Sequence, residues 1–180
     1  MDQQIKDLIS GNEETFRALV KEYQGRVFHH AMQILRNREE AEDVCQETFI
    51  QVYESVKSFK GQSSLSTWII RIAINKALEK LRKEKRRIQL HALMPWWMPN
   101  EANSSTSKEL HPDIQLENKE KALALYRAID LLNPNQRVAF TLIKLDGMSY
   151  AEASELMNLS IKAIESLVSR AKEKIKKELK

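Results

Sequence analysis

Apolar side chains in this chain recur at intervals of three and four residues, and that spacing restricts it to helices. Phe16, Leu19, Val20, Tyr23, Val27, Ala31 and Ile34 form one stripe. Ala41, Val44, Cys45, Thr48, Phe49, Val52 and Val56 form a second, and Trp68, Ile69, Ile72, Ala73, Leu78 and Leu81 a third. A helix of 3.6 residues per turn places each set on one face, where it can be buried against its neighbours. Only four Gly and four Pro occur in 180 residues, too few for the many tight turns of a sheet-rich fold. Asn37 and Arg38 separate the first two stripes; residues 58–66, with Gly61 and four serines, separate the second and third. The expected fold is all-α, with three long helices after a short N-terminal one.

Residues 91–117 depart from this pattern. The segment MPWWMPNEANSSTSKELHPD holds three of the four prolines, a Ser/Thr/Asn cluster and no apolar period. It reads as a linker with local extended structure, with a reach of at most about 90 Å. The chain then divides into two small helical domains, residues 1–90 and 118–180, joined by a flexible linker, residues 91–117. In the second domain Asn133 can cap a helix that opens on Pro134, with Gln136 placed for a capping box. Asp146-Gly147 stops that helix. Ser149 caps a short one from Tyr150 to Met157, and Asn158-Leu159-Ser160 turns the chain into a final helix from Ile161 to about Leu179.

Charge is uneven along the chain. Residues 57–90 hold ten Lys/Arg against two Glu, whereas residues 1–56 hold six against eleven acidic residues. Residues 118–180 are basic again, and the whole chain is at +4. Two basic surfaces of this kind attract polyanions, nucleic acid first; solvated helix faces are the plainer alternative. A single cysteine, Cys45, precludes an internal disulfide framework and fits a reducing compartment. No apolar run approaches the roughly 20 residues a membrane span needs, and the polar, acidic start MDQQIKDLIS is not a secretory signal.

The sharpest local pattern is C-terminal. Two helices separated by three residues form a helix-turn-helix unit. Ser154 is small where the helices cross, Asn158 tolerates a left-handed conformation at the turn, and Ile164 anchors the second helix. Ile161, Ile164, Val168, Ala171 and Ile175 form its buried stripe. The opposite face carries Lys162, Glu165, Ser166, Ser169, Arg170, Lys172 and Glu173, the short polar and basic side chains that reach bases and phosphates from the major groove. A plain helical hairpin with a solvated face is the alternative.

Two further constellations lie in the first domain. From Lys57 to Arg87 a Gly/Ser loop leads into a helix on which Phe59 and Trp68 interleave with Lys60, Arg71 and Lys76, and Arg82, Lys83, Lys85, Arg86 and Arg87 crowd its later part. Aromatics beside cations suit single-stranded nucleic acid, whose bases stack while its backbone follows the charge. Asn75 is placed to bond a base or to brace the loop; helical spacing equally suits Trp68 to the core. From Arg38 to Glu54 the face opposite the apolar stripe carries Asp43, Gln46, Glu47, Ile50, Gln51 and Glu54. It reads as a protein-docking surface or, more plainly, a solvated one.

With these residues in view, the chain resembles the extracytoplasmic-function sigma factors, the smallest type in the sigma-70 family of bacterial RNA polymerase initiation subunits. The resemblance covers about residues 12–88 and 120–178. It rests on three ordered motifs: AEDVCQETF, FKGQSSLSTWIIRIAINKALEKLR and LNPNQRVAFTLIKLDGMSYAEASELMNLSIKAIESLVSRAKEKI. It implies two domains of the sigma type, domain 2 for residues 1–90 and domain 4 for residues 118–180.

The resemblance implies roles residue by residue. Asp43, Gln46, Glu47 and Gln51 match the surface that docks on core RNA polymerase. Phe59, Lys60, Gly61, Gln62, Ser63 and Ser64 match the loop that captures a base flipped from the non-template strand at the −10 element. Trp68, Arg71, Asn75 and Lys76 lie on the helix that backs this loop and follows the melted strand. Lys162, Glu165, Ser166, Ser169 and Arg170 would face −35 bases, and Ser160, Lys172 and Lys174 phosphates. The chain departs from the usual pattern at Gln62, where an acidic residue is common, at Leu65, where an aromatic is, at Asn158 in place of Gly, and at Lys162-Ala163-Ile164 in place of Gly-Thr-Val.

The partners so implied are core RNA polymerase, promoter DNA and an anti-sigma factor, often membrane-anchored, with the chain itself cytoplasmic and not inserted in a membrane. In family members the linker threads toward the RNA exit path, where Trp96 and Trp97 would pack, or they would meet a regulator or cover one domain. No catalytic residue, metal or cofactor is expected. His29 and His30 are adjacent on different helix faces, His91 and His111 sit in the linker, and none forms an i, i+4 pair with another His or with Cys45. No Gly-rich phosphate loop is present. Two other classes are the alternatives: an enzyme, which this absence of a catalytic constellation disfavours, and a conventional helix-turn-helix repressor or activator, which would bind duplex DNA without polymerase.

Overall fold

The computed structural model describes residues 3–92 and 119–179. The linker expectations for residues 93–117, including Trp96, Trp97 and His111, lie outside the described residues. Eight α-helices account for most of what is described: α1 (Gln3–Ile9), α2 (Glu13–Leu35), α3 (Arg38–Ser55), α4 (Leu65–Ala92), α5 (Lys119–Asp130), α6 (Pro134–Phe140), α7 (Tyr150–Met157) and α8 (Ile161–Glu178). No strand occurs among the described residues. Helix α4 runs through Ala92, past the expected end of the first domain.

Each helix boundary has a local cause. The Asn12 side chain accepts from the Thr15 N–H at 3.0 Å and starts α2 above Glu13 and Glu14, whose charges suit the helix N-terminus. Helix α2 ends at Arg36, a non-glycine residue in the left-handed region with φ of 57°. Asn37 at once caps α3 by accepting from the Glu40 N–H at 3.1 Å. Two residues thus suffice to reverse the chain. In the second half Asn133 and Gln136 form a reciprocal capping box, as do Ser149 and Glu152. Each box satisfies two of the N–H groups that a helix start leaves unpaired. Between α6 and α7, Thr141–Leu145 widens into a π-helical turn before Gly147 with φ of +70° reverses the chain.

Helices α2, α3 and α4 pack on one another around Leu19, Val27, Ile34, Val44, Val52 and Ile69, all inaccessible to solvent. Burial of each such side chain contributes about 1.5–3 kcal/mol relative to exposure. Helix α8 packs on α5, α6 and α7 around Ile129, Leu142 and Ile164. The two groups also meet. Helix α4 lies against α6 and α7, and Val138, Leu142, Ala153 and Leu156 share one buried cluster with Ile70 and Ile74.

Polar contacts reinforce that junction. The buried Arg36 guanidinium donates to the Tyr126 carbonyl at 2.8 Å, pairs with Asp130 at 3.1 Å and covers the Tyr126 ring at 4.3 Å. Arg137, 4% exposed, pairs with the same Asp130 oxygen at 3.0 Å and donates to the Leu35 carbonyl at 3.2 Å. Burial lowers the Arg137 pKa from its ordinary value, and the Asp130 carboxylate opposes that shift.

Candidate nucleic-acid and polymerase interfaces

The loop between α3 and α4 is held at both ends. Phe59 is 8% exposed, its ring 5.0 Å from that of Trp68, so this pair forms the floor of the loop. Gly61, with φ of +67°, makes the bend. Ser64 caps α4: its hydroxyl accepts from the Thr67 N–H at 3.0 Å and lies 2.9 Å from the Thr67 hydroxyl. Between these anchors Lys60, Gly61 and Gln62 are exposed and Ser63 is half-buried. Lys60, Gly61, Ser63 and Ser64 border a recess of about 550 Å³ whose far wall is Gln4 and Ile5 of α1, and Gln62 stands outside its lining. That volume admits an extruded nucleobase. No local signal in the sequence links residues 4 and 5 to a loop 55 residues on.

Beyond the loop α4 carries Trp68 and Arg71, both half-buried, the exposed Asn75 and the half-buried Lys76. Arg71 lies 3.8 Å from Glu155 of α7, and Lys76 lies 3.7 Å from Glu47 of α3. Arg82, Lys83, Lys85, Arg86 and Arg87 are exposed on the helix's distal half. Neither the Arg71 nor the Lys76 pairing follows from helical spacing, since each joins two helices.

On α3, Asp43, Gln46, Glu47 and Gln51 are all exposed and share a face. Ile50 and Tyr53 beside them are 58% and 56% exposed. They border an apolar groove of about 560 Å³ reaching Phe16 and Val20 of α2. Cys45 is half-buried at its edge, and burial raises the thiol pKa, which keeps it protonated.

The C-terminal helix pair has the geometry of a helix-turn-helix. Asn158 ends α7 in the left-handed region with φ of 52°. The Ser154 hydroxyl donates to the Leu159 carbonyl at 2.5 Å and ties the turn to α7. Ser160 caps α8 by accepting from the Ala163 N–H at 3.2 Å. Ile164, Val168, Ala171 and Ile175 are buried. Ile161 is not: it is 46% exposed, because it sits in the first turn of α8, ahead of the crossing with α7. Lys162, Glu165, Ser169, Arg170, Lys172 and Lys174 are exposed, with Ser166 half-buried. The Lys174 ammonium donates to the Leu131 carbonyl, which draws it toward the end of α5.

Known proteins share this arrangement. Residues 19–87 match sigma-70 region 2, and residues 122–175 match sigma-70 region 4. The chain is 30% identical over 182 aligned positions to the ECF RNA polymerase sigma-E factors of Salmonella typhimurium and Escherichia coli, covering 97% of this chain and 95% of each relative. The chain belongs to the extracytoplasmic-function (ECF) sigma factors. Its function is accordingly that of an RNA polymerase sigma factor in promoter-directed transcription initiation. A similar fold is seen in CnrH, solved in complex with the cytosolic domain of CnrY, at a TM-score of 0.61 and 20% identity over 98% of this chain and 94% of that one. The sigma factor RpoE of Bartonella quintana, solved with the anti-sigma factor NepR, gives 0.62 and 24% over 91% and 96%. Among the described residues of this ECF chain no cluster of His, Cys, Asp or Glu could hold a metal ion, and no helix is long and apolar enough to cross a membrane.

Proposed function

We propose that this sigma factor uses three separate surfaces. The α3 face with Asp43, Gln46, Glu47 and Gln51 docks on core polymerase. The recess under residues 60–64 takes one base extruded from the −10 strand, while Trp68, Arg71, Asn75 and Lys76 guide the strand beyond it. The α8 face reads the −35 element, with Lys162, Glu165, Ser166, Ser169 and Arg170 toward bases and Ser160, Lys172 and Lys174 toward phosphates. Domain 2 then spans residues 1–90 and domain 4 residues 118–180, with residues 91–117 between them.

The observation that carries this reading is that the recess beside the α3–α4 loop, the acidic α3 face and the polar α8 face all remain open to solvent on one packed body. The physics follows from that exposure. Opening a duplex loses stacking and pairing worth about 1.4 kcal/mol per step. Holding one base in a recess and its strand on a cationic helix offsets part of that cost. Binding through two linked modules raises the effective concentration of the second once the first is engaged. Phe59 contributes as a buried part of the recess wall, its ring packed against that of Trp68.

The site of action is the cytoplasm, where polymerase is. An anti-sigma factor is the regulatory partner that the RpoE complex with NepR suggests. Mixing the chain with core polymerase and a promoter fragment tests the reading: co-purification with core and core-dependent initiation support it, whereas a shift of duplex DNA without core would mark a conventional repressor.

A further inference from the structure

Two cations on the strand-guiding helix are already engaged by carboxylates of the docking helix. Lys80 Nζ lies 3.0 Å from Asp43 and 3.8 Å from Glu47, and Lys76 Nζ lies 3.7 Å from Glu47. Both lysines are more enclosed than their partners: 19% and 24% of the Lys76 and Lys80 side chains are exposed, against 61% and 48% for Asp43 and Glu47. The carboxylates therefore form the outer rim of the pairs. Lys76, Lys80, Lys83 and Arg87 follow one another at spacings of four, three and four, so they lie along one face of α4 and line one charged groove.

From this geometry we infer that Asp43 and Glu47 act as internal counter-charges that mask Lys76 and Lys80 from nucleic-acid phosphates until a cationic partner surface takes the carboxylates. The idea rests on the proposed docking role of α3 and adds a coupling to it. A partner that pairs with Asp43 and Glu47 from outside removes their pull on the lysines, which then join Lys83 and Arg87 as a continuous track for a phosphate backbone. The coupling is reciprocal: DNA phosphates that take the lysines free the carboxylates for the partner. Lys80 thereby becomes a strand contact that the sequence motifs do not single out. A partly exposed pair is a suitable device because it is weak enough to be exchanged.

The test uses the full chain and a short fluorescein-labelled single-stranded oligonucleotide of mixed sequence, titrated without polymerase at several salt concentrations. Asp43→Asn with Glu47→Gln is expected to tighten binding about two- to tenfold at low salt. It is also expected to steepen the salt dependence by about 1.4, the value for two additional phosphate contacts on a single strand. In a Lys76→Gln, Lys80→Gln background the same carboxylate substitutions are expected to change nothing. Unchanged affinity on removing the carboxylates overturns the inference. So does a gain that persists without the two lysines, because that gain would be the general effect of added positive charge. Titration of the same variants with core polymerase separates this from the docking proposal: tighter oligonucleotide binding with undiminished core affinity upholds the masking and rejects α3 as the docking surface.

Discussion

The Nδ1 atom of His30, on α2, lies 2.9 Å from a carboxylate oxygen of Asp146, 116 residues away in the turn after α6. Both side chains are buried, and the adjacent His29 comes within 3.6 Å of the other Asp146 oxygen. Two neighbouring histidines that helical spacing assigns to different faces thus converge on one carboxylate. The contact ties the region 2 helices to the region 4 helices. Removing the ring leaves Asp146 buried without its closest partner, so His30→Ala is expected to lower stability by about 1–3 kcal/mol in urea unfolding. A double-mutant cycle with Asp146→Ala is expected to recover part of that loss; strict additivity would show that the two side chains do not interact.

Asp130 is the second link between the halves. It faces both Arg36 and Arg137, and Arg137 is too enclosed for water to replace the carboxylate. Breaking a buried pair from one side costs about 3–5 kcal/mol. Asp130→Ala is expected to approach that loss in chemical denaturation, with Arg137→Met milder because it removes the buried charge as well. Equal effects would assign the loss to packing alone.

The turn of the helix-turn-helix depends on one backbone angle. With φ of 52° at position 158, a β-branched residue is strained where Asn is tolerated. Asn158→Val is expected to cost about 1–2 kcal/mol, while Asn158→Gly stays near wild type. Denaturant midpoints for the two variants check this; equal midpoints would remove the conformational argument.

Acid should weaken the same unit. The Ser149 hydroxyl and backbone N–H both donate to Glu152, and these hydrogen bonds hold its pKa below the ordinary 4.5. The unfolded chain therefore takes up this proton first as pH falls. The stabilisation is complete above the unfolded value and disappears as pH drops through the lower, folded value. The stability difference between wild type and Glu152→Gln, followed by thermal unfolding, should be constant near neutrality and shrink below about pH 4. A difference independent of pH would exclude the carboxylate as its source.

Much of this architecture is legible in the sequence because helix ends are local chemistry. Ser149, Asn133 and Asn158 act on atoms within a few residues, so their roles follow from spacing alone. Arg36 does not: its left-handed backbone is supported by Tyr126 and Asp130, about 90 residues on. The same holds for His30 with Asp146, and for Lys76 and Lys80 with the α3 carboxylates, where two separately read motifs prove to be in contact. Phe59 looks like a stacking aromatic in sequence and is a floor residue in space, since the loop it begins folds back over Trp68. Ile161 fits the apolar period yet lies ahead of the helix crossing.

The three-surface proposal predicts separable losses. Charge reversal by Asp43→Lys with Glu47→Lys is expected to weaken core binding at least tenfold while the chain stays folded, with some thermal stability lost because the new lysines face Lys76 and Lys80. Unaltered core affinity would place the docking surface elsewhere.

Run-off transcription with core polymerase on a randomised promoter library reads the central claim most directly. Wild-type chain should select templates bearing two sequence elements at fixed spacing. Lys162→Ala with Arg170→Ala should erase selection at the upstream element and spare core binding, while Lys60→Ala with Gln62→Ala should erase selection at the downstream one. Initiation that ignores both elements, or selection of duplex DNA by the chain in the absence of core, would contradict the account.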